Sequence, residues 1–451
     1  MPFRLPFLRS FFRVFLGSAF LAGPALSAAG LPEYLLAEEP LTDELEAKPS
    51  PLGLLGAAPE DLSVFPGLAI EEPARPTGEP FFDDTSFFWR PRFYYRHLDQ
   101  GDGSQSETAA LGGALGLQTG YFRNFLRIGL TGFHSHKLYG PEGRDGAGLL
   151  GPGQEDYAVL GEAYAELKVS RTSLFSGLNL FNLPYLNAND SRMTPNTFEA
   201  YMLRSNEWDH LELGAGHLRR IRFRNSNDYE NLARRAGAAQ DSPGLSLVGA
   251  RFALEDRFSI GFIEEIAWDL FHTFYFETTA DFSLPEDRRL QLGLQFSDQR
   301  DIGQALVGEF SVQHFGAQSS LDLGPLVLSC ALSYTSRGPL QKPFGGSPGF
   351  TSLMISDFDR PEELALRAGA LLNLESLGLK GLTTSLSLGH GTPLGNGTDP
   401  LPDQSEFNLT LDYRPPAPGW ENVWLRLRYG ENERDTRISD FRIIANYSVS
   451  F

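Results

Sequence analysis

The chain has 451 residues, 38 of them Lys or Arg against 57 Asp or Glu, for a formal charge of -19. So acidic a chain is a poor partner for nucleic acid. Its single cysteine, Cys330, lies mid-chain, which excludes a disulfide framework and a lipidated cysteine near the start. Mean hydropathy is -0.23, and no window approaches the roughly 20 apolar residues that a membrane-spanning helix needs.

Residues 1–29 read as a secretory signal: a basic stretch with Arg4, Arg9 and Arg13, an apolar run from Val14 to Leu26, and small residues at Ser27, Ala28 and Ala29. Its cleavage removes three arginines and no acid, so the exported chain is more acidic still. Residues 30–84 follow as a Pro-rich acidic extension (EEPLTDELEAKPSP, EEPARPTGEP), expected to be flexible and periplasmic. From Phe87 the pattern changes to short segments of alternating polarity, separated by Gly, Pro, Asn and Asp.

We count 18 such segments. They lie near 87–98, 108–121, 123–134, 157–168, 170–180, 197–205, 209–218, 245–254, 257–268, 271–283, 288–297, 307–317, 326–335, 363–374, 381–389, 405–414, 423–430 and 437–451. Long connections fall at 135–156, 181–196, 219–244 and 336–362 and alternate with short ones, as in barrels with outer loops and periplasmic turns. In 406–414, Phe407, Leu409, Leu411 and Tyr413 oppose Glu406, Asn408, Thr410, Asp412 and Arg414. In the last segment Phe441, Ile443, Ala445, Tyr447, Val449 and Phe451 share a face, and Ile444 is the one misfit among the polar residues.

Strand-end aromatics (Trp89, Tyr95, Tyr121, Tyr413, Tyr429) suit membrane interfaces. An even strand set in lipid must close, because lipid offers an open edge no partner. The predicted fold is therefore all-β, a transmembrane antiparallel barrel of about 18 strands over residues 85–451, wide enough for an aqueous channel. Outer-membrane lipid and lipopolysaccharide are its expected surroundings.

The basic residues are nearly all arginine; the lysines are Lys48, Lys137, Lys168, Lys342 and Lys380. Arginine on a lipid face costs about 2–4 kcal/mol at the midplane, which favours the lumen for arginines within strands. Parity in 423–430 puts Arg426 and Arg428 inward, one above the other. Arg90 and Arg92 oppose Trp89 and Phe93 in the first strand. If the strand ending near 218 continues, Ile221 and Phe223 share the parity of Leu211, Leu213 and Ala215, and Arg220, Arg222 and Arg224 face the lumen; otherwise these are loop charges. Glu162, Glu166, Glu309, Glu406 and Asp412 are assigned to the inner face, where they either set up a transverse field or simply neutralise the arginines.

Residues 187–217, NANDSRMTPNTFEAYMLRSNEWDHLELGAGH, carry the pattern NDSR, PxTFE, SNE and LELGAGH. This resembles the OprD family of substrate-specific outer-membrane porins, and fragments at 224–230 (RNSNDYE), 358–367 (FDRPEELALR) and 424–430 (WLRLRYG) resemble it too. The early stretch 99–160 matches the family only in strand pattern.

The resemblance implies an inward-folded third loop and a basic row along the lumen that guides carboxylates. It places Arg192 and Asp190 at the constriction; Arg192 could instead tie the loop to the wall through Glu199 or Asp190. Terminal Phe451 resembles the signal read by the outer-membrane insertion machinery. The expected function is passive passage of small polar solutes, anionic or zwitterionic carboxylates foremost, without a cofactor. A non-selective porin, a barrel enzyme and a structural barrel or adhesin are the alternatives. No G-x-S-x-G or H-E-x-x-H segment supports catalysis.

Overall fold

The computed structural model describes residues 80–254, 257–286, 288–395 and 401–450. The expected signal at 1–29, nearly all of the extension at 30–84, and Phe451 lie outside the described residues. The end of that extension, Pro80–Asp83, is a short helix, with the Phe81 ring 5.8 Å from that of Phe122.

The strands follow in chain order as β1 (Ser86–Asp99), β2 (Gln105–Gln118), β3 (Leu126–Tyr139), β4 (Tyr157–Val169), β5 (Thr172–Asn179), β6 (Thr197–Trp208) and β7 (Leu211–Arg222). Next come β8 (Tyr229–Asn231), β9 (Leu245–Leu254), β10 (Phe258–Ala267), β11 (Phe271–Leu284), β12 (Arg288–Asp301) and β13 (Ser311–Asp322). The last are β14 (Leu326–Thr335), β15 (Glu363–Asn373), β16 (Leu382–Pro393), β17 (Gln404–Tyr413), β18 (Val423–Glu433), β19 (Arg437–Tyr447) and β20 (Val449–Ser450).

All belong to one antiparallel sheet. The short β8 only caps the upper end of β7, and β20 continues β19 after a break at Ser448. The remaining 18 strands form the wall, and β19 returns to β1 in the register Phe93↔Ala445 and Arg96↔Arg442, so no edge is left open. The long connections gather at one end and the tight turns at the other, which makes the long-loop end extracellular.

Apolar side chains face outward, as lipid requires. Leu294 is 55% exposed, and Leu332, Leu366 and Phe315 also stand on the outer face, while Gln295, Ser333 and Gln318 alternate with such residues and are buried inside. Two expected strand edges shift. The β2–β3 turn is made by Arg123 and Asn124, both left-handed at φ 50° and 59°, so Tyr121 and residues 123–125 belong to the turn rather than to the expected strands. Tyr121 is buried under Arg127, whose guanidinium carbon is 4.1 Å from the ring centroid, instead of joining an interfacial belt. Residues 307–310, expected as the start of a strand, form the loop before β13, where Val307 and Phe310 pack on a buried cluster, and Glu309 is exposed on that loop instead of lining the inner face.

The inner face is not polar throughout. Phe198, Met202 and Leu218 of β6 and β7, Ile263 of β10 and Tyr275 of β11 pack with Phe181, Leu183, Tyr185 and Leu186 from the 180–196 connection and with Phe344 from 336–362. A second cluster joins Tyr94 and Ile444 of the wall to Leu149 and Leu150 of 140–156 and to Met193. Ile444 is thus no misfit: it points inward, and a loop segment covers it.

That contact makes a test. Ile444→Ala should cost about 2–4 kcal/mol, as for other buried large-to-small changes, and lower the temperature at which the folded barrel converts to the slower-migrating unfolded band on a gel. An unchanged transition would show that the loops do not lean on this residue.

Candidate functional site

β1, β18 and β19 are neighbours, and register decides which of their side chains align. Arg96 sits opposite Arg442 across the β1–β19 pair, and Arg442 opposite Arg428 across the β18–β19 pair. Three arginines therefore form a row across three strands. Arg90 and Arg92 lie on the same face of β1, toward the periplasmic end, with Arg90 over the Phe88 ring at 4.4 Å.

Several of these charges are compensated. The Arg96 guanidinium grips Asp440 through Nε (3.1 Å) and Nη2 (2.6 Å), and Arg442 takes the same carboxylate through Nη2 at 2.7 Å. Arg96 also donates to the Ala147 carbonyl at 2.8 Å, which ties the 140–156 loop to the wall. Arg92 holds Asp190 in a bidentate pair, both bonds at 2.9 Å, and donates to Asn446 at 2.9 Å and to the Arg192 carbonyl at 2.7 Å. Arg426 is paired with Asp412 at 2.6 Å and lies 4.1 Å from the Trp424 ring centroid. Such forked pairs fix direction as well as charge.

Arg192 and Arg224 differ. Arg192 donates to the Ser191 carbonyl at 2.7 Å and to its hydroxyl at 3.3 Å; Arg224 donates to the same hydroxyl at 2.5 Å and to the Asn189 carbonyl at 3.3 Å. Neither has a carboxylate within 4.0 Å among the described residues, because Asp190 is held by Arg92, and Glu199 by Arg219 and Arg220. Burial, and then the charges of Arg96, Arg224 and Arg442, hold the Arg192 guanidinium well below its ordinary pKa. Burial with Arg96 and Arg442 pushes that of Arg224 down to about 10. Five guanidiniums here share two carboxylates, Asp190 and Asp440, so the cluster carries uncompensated positive charge. Gly148, at φ 72°, leaves room for Arg192; a Cβ there would lie 3.2 Å from its Nε.

The 220–224 arginines do not share one placement. Opposite Glu199/Ala200 the β6–β7 register slips by one residue, so Arg219 bulges and the parity beyond it reverses. Ile221 turns inward, and Arg220 meets Glu199 on the outer face. Arg222 is wholly buried and donates to the Pro195 carbonyl, to Thr197 at 3.1 Å and to the Ser226 carbonyl at 3.0 Å, which holds the end of the 180–196 segment. Arg224 lies beyond the strand and reaches Ser191 from the following loop.

Acids on the wall also hold loops. Glu406 accepts the backbone N–H groups of Ile355 and Ser356 at 2.8 and 2.7 Å, whereas Glu166 accepts from Ser173 of the adjoining strand β5 at 2.7 Å. Halfway round the ring from β1, Glu265 of β10 and Glu277 of β11 face inward, the latter bonded to Tyr275 at 2.5 Å. Parity would have found Arg96, Arg442 and Asp440, since they alternate with lipid-facing residues as Arg90 and Arg92 do.

A closed barrel of this strand number, with a charged inner wall and loops packed against it, is an outer-membrane porin. Residues 79–451 match the family described as outer membrane porin, OprD family, and the chain belongs to that family. It is 25% identical over 411 residues to Porin D of Pseudomonas aeruginosa, covering 82% of this chain and 92% of that protein. It is 25% identical over 401 residues to the porin-like protein GalP of Pseudomonas putida, covering 85% and 96%. The crystal structure of OccK9 (OpdG) of Pseudomonas aeruginosa superposes with a TM-score of 0.77 at 25% identity, over 83% of this chain and 100% of that one. OpdK of the same organism, crystallised with vanillate, gives a TM-score of 0.75 at 22% identity, over 82% and 100%. The chain is thus a channel of the outer membrane of Gram-negative bacteria.

Asp440→Asn should leave Arg96 and Arg442 buried against each other without their shared counter-charge. Breaking a buried pair of this kind costs about 3–5 kcal/mol. We expect a clear fall in the urea midpoint of the refolded barrel; a midpoint within error of the parent's would mean that water already screens the pair.

Proposed function

We propose that the channel passes small carboxylate-bearing solutes, drawn to the Arg192–Arg224 pair and guided along the wall by Arg428, Arg426 and Arg90, with the buried Arg442, Arg96 and Arg92 adding their charge from behind. The observation that carries this reading is the division of labour among the arginines: Arg96 and Arg442 are matched to Asp440, Arg92 to Asp190 and Arg426 to Asp412, while Arg192 and Arg224 converge on Ser191 with no carboxylate within 4.0 Å among the described residues. A planar carboxylate is the natural complement of a guanidinium fork. Ser191 adds a hydroxyl between the two.

The 180–196 segment is read as the constriction. Its Asp190 meets β1, while its Tyr185 hydroxyl donates to Ser297 of β12 at 2.7 Å, on the far side of the ring, so the segment bridges strands that face each other across the lumen. The resulting field points from the arginine row toward the opposite wall. It would orient a solute with its carboxylate toward β1 and β19. Arg222 and Asp190 serve this reading by holding the loop, and Arg220 lies outside the path.

Vanillate, a carboxylate, and its neutral alcohol are suitable first probes. In single-channel recordings the carboxylate should interrupt the current for longer than the alcohol, and Arg192→Gln with Arg224→Gln should shorten those interruptions about tenfold, which corresponds to 1.4 kcal/mol. Equal interruption by both probes, or by parent and double variant, would favour a non-selective porin.

A further inference from the structure

The bulge at Arg219 puts two consecutive arginines on the outside of the barrel. Across β6–β7, Tyr201 pairs with His217 and Leu203 with Ala215 on the lipid face, and Glu199 with Arg220 continues that face upward. Arg219 joins them, its Nη1 3.8 Å from Glu199. Their side chains are 59% and 51% exposed. Without the bulge, alternation would have sent one of the two inward, against the apolar cluster that Leu218 and Ile221 fill. Bulges re-aim side chains in this way at sheet rims.

The position is at headgroup depth. β7 runs toward the long-loop end, and Arg219 and Arg220 lie just beyond Tyr201 and Trp268, outward aromatics that are 49% and 42% exposed. Arginine on the outer wall costs about 0–1 kcal/mol near the interface, where aromatics of this kind collect. The pair lines a recess of about 420 Å³ shared with Tyr229, Asn231, Ser242 and Asp241. Asp241 is already bound to Arg234 at 2.6 Å, and the Arg220 guanidinium lies 5.9 Å from the centroid of the Tyr229 ring. Among the described residues Glu199 is the one acid within 4.0 Å of the pair, so a full positive charge is left over. Elsewhere on the outer wall toward this end, Glu107 and Glu431 are each matched by a single arginine, Arg144 and Arg437.

We propose that this recess binds a phosphate of the phosphorylated glycolipid that makes up the outer leaflet. The two guanidiniums take the phosphate oxygens as forked donors, Asn231 and Ser242 stand at its edge, and the acyl chains run down the outer wall past Tyr201 and Trp268. This reading does not depend on what crosses the lumen.

The test is native mass spectrometry of the refolded full-length barrel, titrated separately with bisphosphorylated lipid A, with the same lipid stripped of its phosphates, and with inorganic phosphate. The bisphosphorylated lipid should bind, with Arg219→Gln plus Arg220→Gln weakening it about tenfold, or 1.4 kcal/mol, and Glu199→Gln tightening it. The change of gel mobility on heating checks that each variant is folded. If the double variant does not fold, Arg219→Gln alone and Glu199→Gln still pull the affinity in opposite directions. Undiminished binding to the folded arginine variants, equal binding of the dephosphorylated lipid, or inorganic phosphate binding as tightly as the lipid would overturn the proposal.

Discussion

Everything in this molecule follows from one demand: each backbone N–H and C=O in contact with lipid must find its partner within the sheet. The β1–β19 pairing meets that demand by removing the last edge. Closure at this strand number leaves a lumen too wide for side chains to fill, and the loops of the extracellular end supply what the wall cannot. Where they rest, the wall changes composition. Phe198, Leu218, Ile263 and Ile444 are inward and apolar because a loop side chain, not water, lies against them.

The same loops redistribute charge. Asp190 leaves its own segment to neutralise Arg92, so Arg192 beside it has no carboxylate within 4.0 Å among the described residues; Arg224 enters from the next loop and adds a second charge. Asp440 serves two arginines at once. In a chain whose overall balance is -19, the acids are largely spent elsewhere: on backbone donors of the loops, as with Glu406, or on the outer face, as with Glu199. Net charge therefore says little about the field beside Arg192 and Arg224. Local register says a great deal, since it aligns Arg428, Arg442 and Arg96 across three strands.

Much of this was legible in the sequence because the side-chain period of a strand is two, and lipid enforces it on the outer face along most of each strand. The wall strands, Arg90 and Arg92 beside Trp89, and Arg426 and Arg428 beside Leu425 and Leu427 could all be read from alternation. Alternation fails wherever a residue answers to a loop or to a bulge. Ile444 broke the pattern because Met193 and Leu149 cover it, and 307–310 resembled a strand because its apolar residues pack on a cluster that the sequence does not display. One extra residue at Arg219 reversed the parity of Ile221 and moved Arg220 to the outside. The partners of Arg192 could not be read either, since Asp190 and Glu199 both lie close in sequence and only the fold assigns each to another arginine.

The claim on which this account turns is that the Arg192–Arg224 pair makes the narrowest part of an acidic protein attractive to anions. The most direct measurement is the reversal potential of the parent channel across a potassium chloride gradient, taken at low and then at high ionic strength. The account predicts preference for chloride at low salt, fading as screening increases. Preference for potassium at low salt would contradict it, for it would mean that the acids of the wall, and not the arginines of the loop, set the field a solute meets.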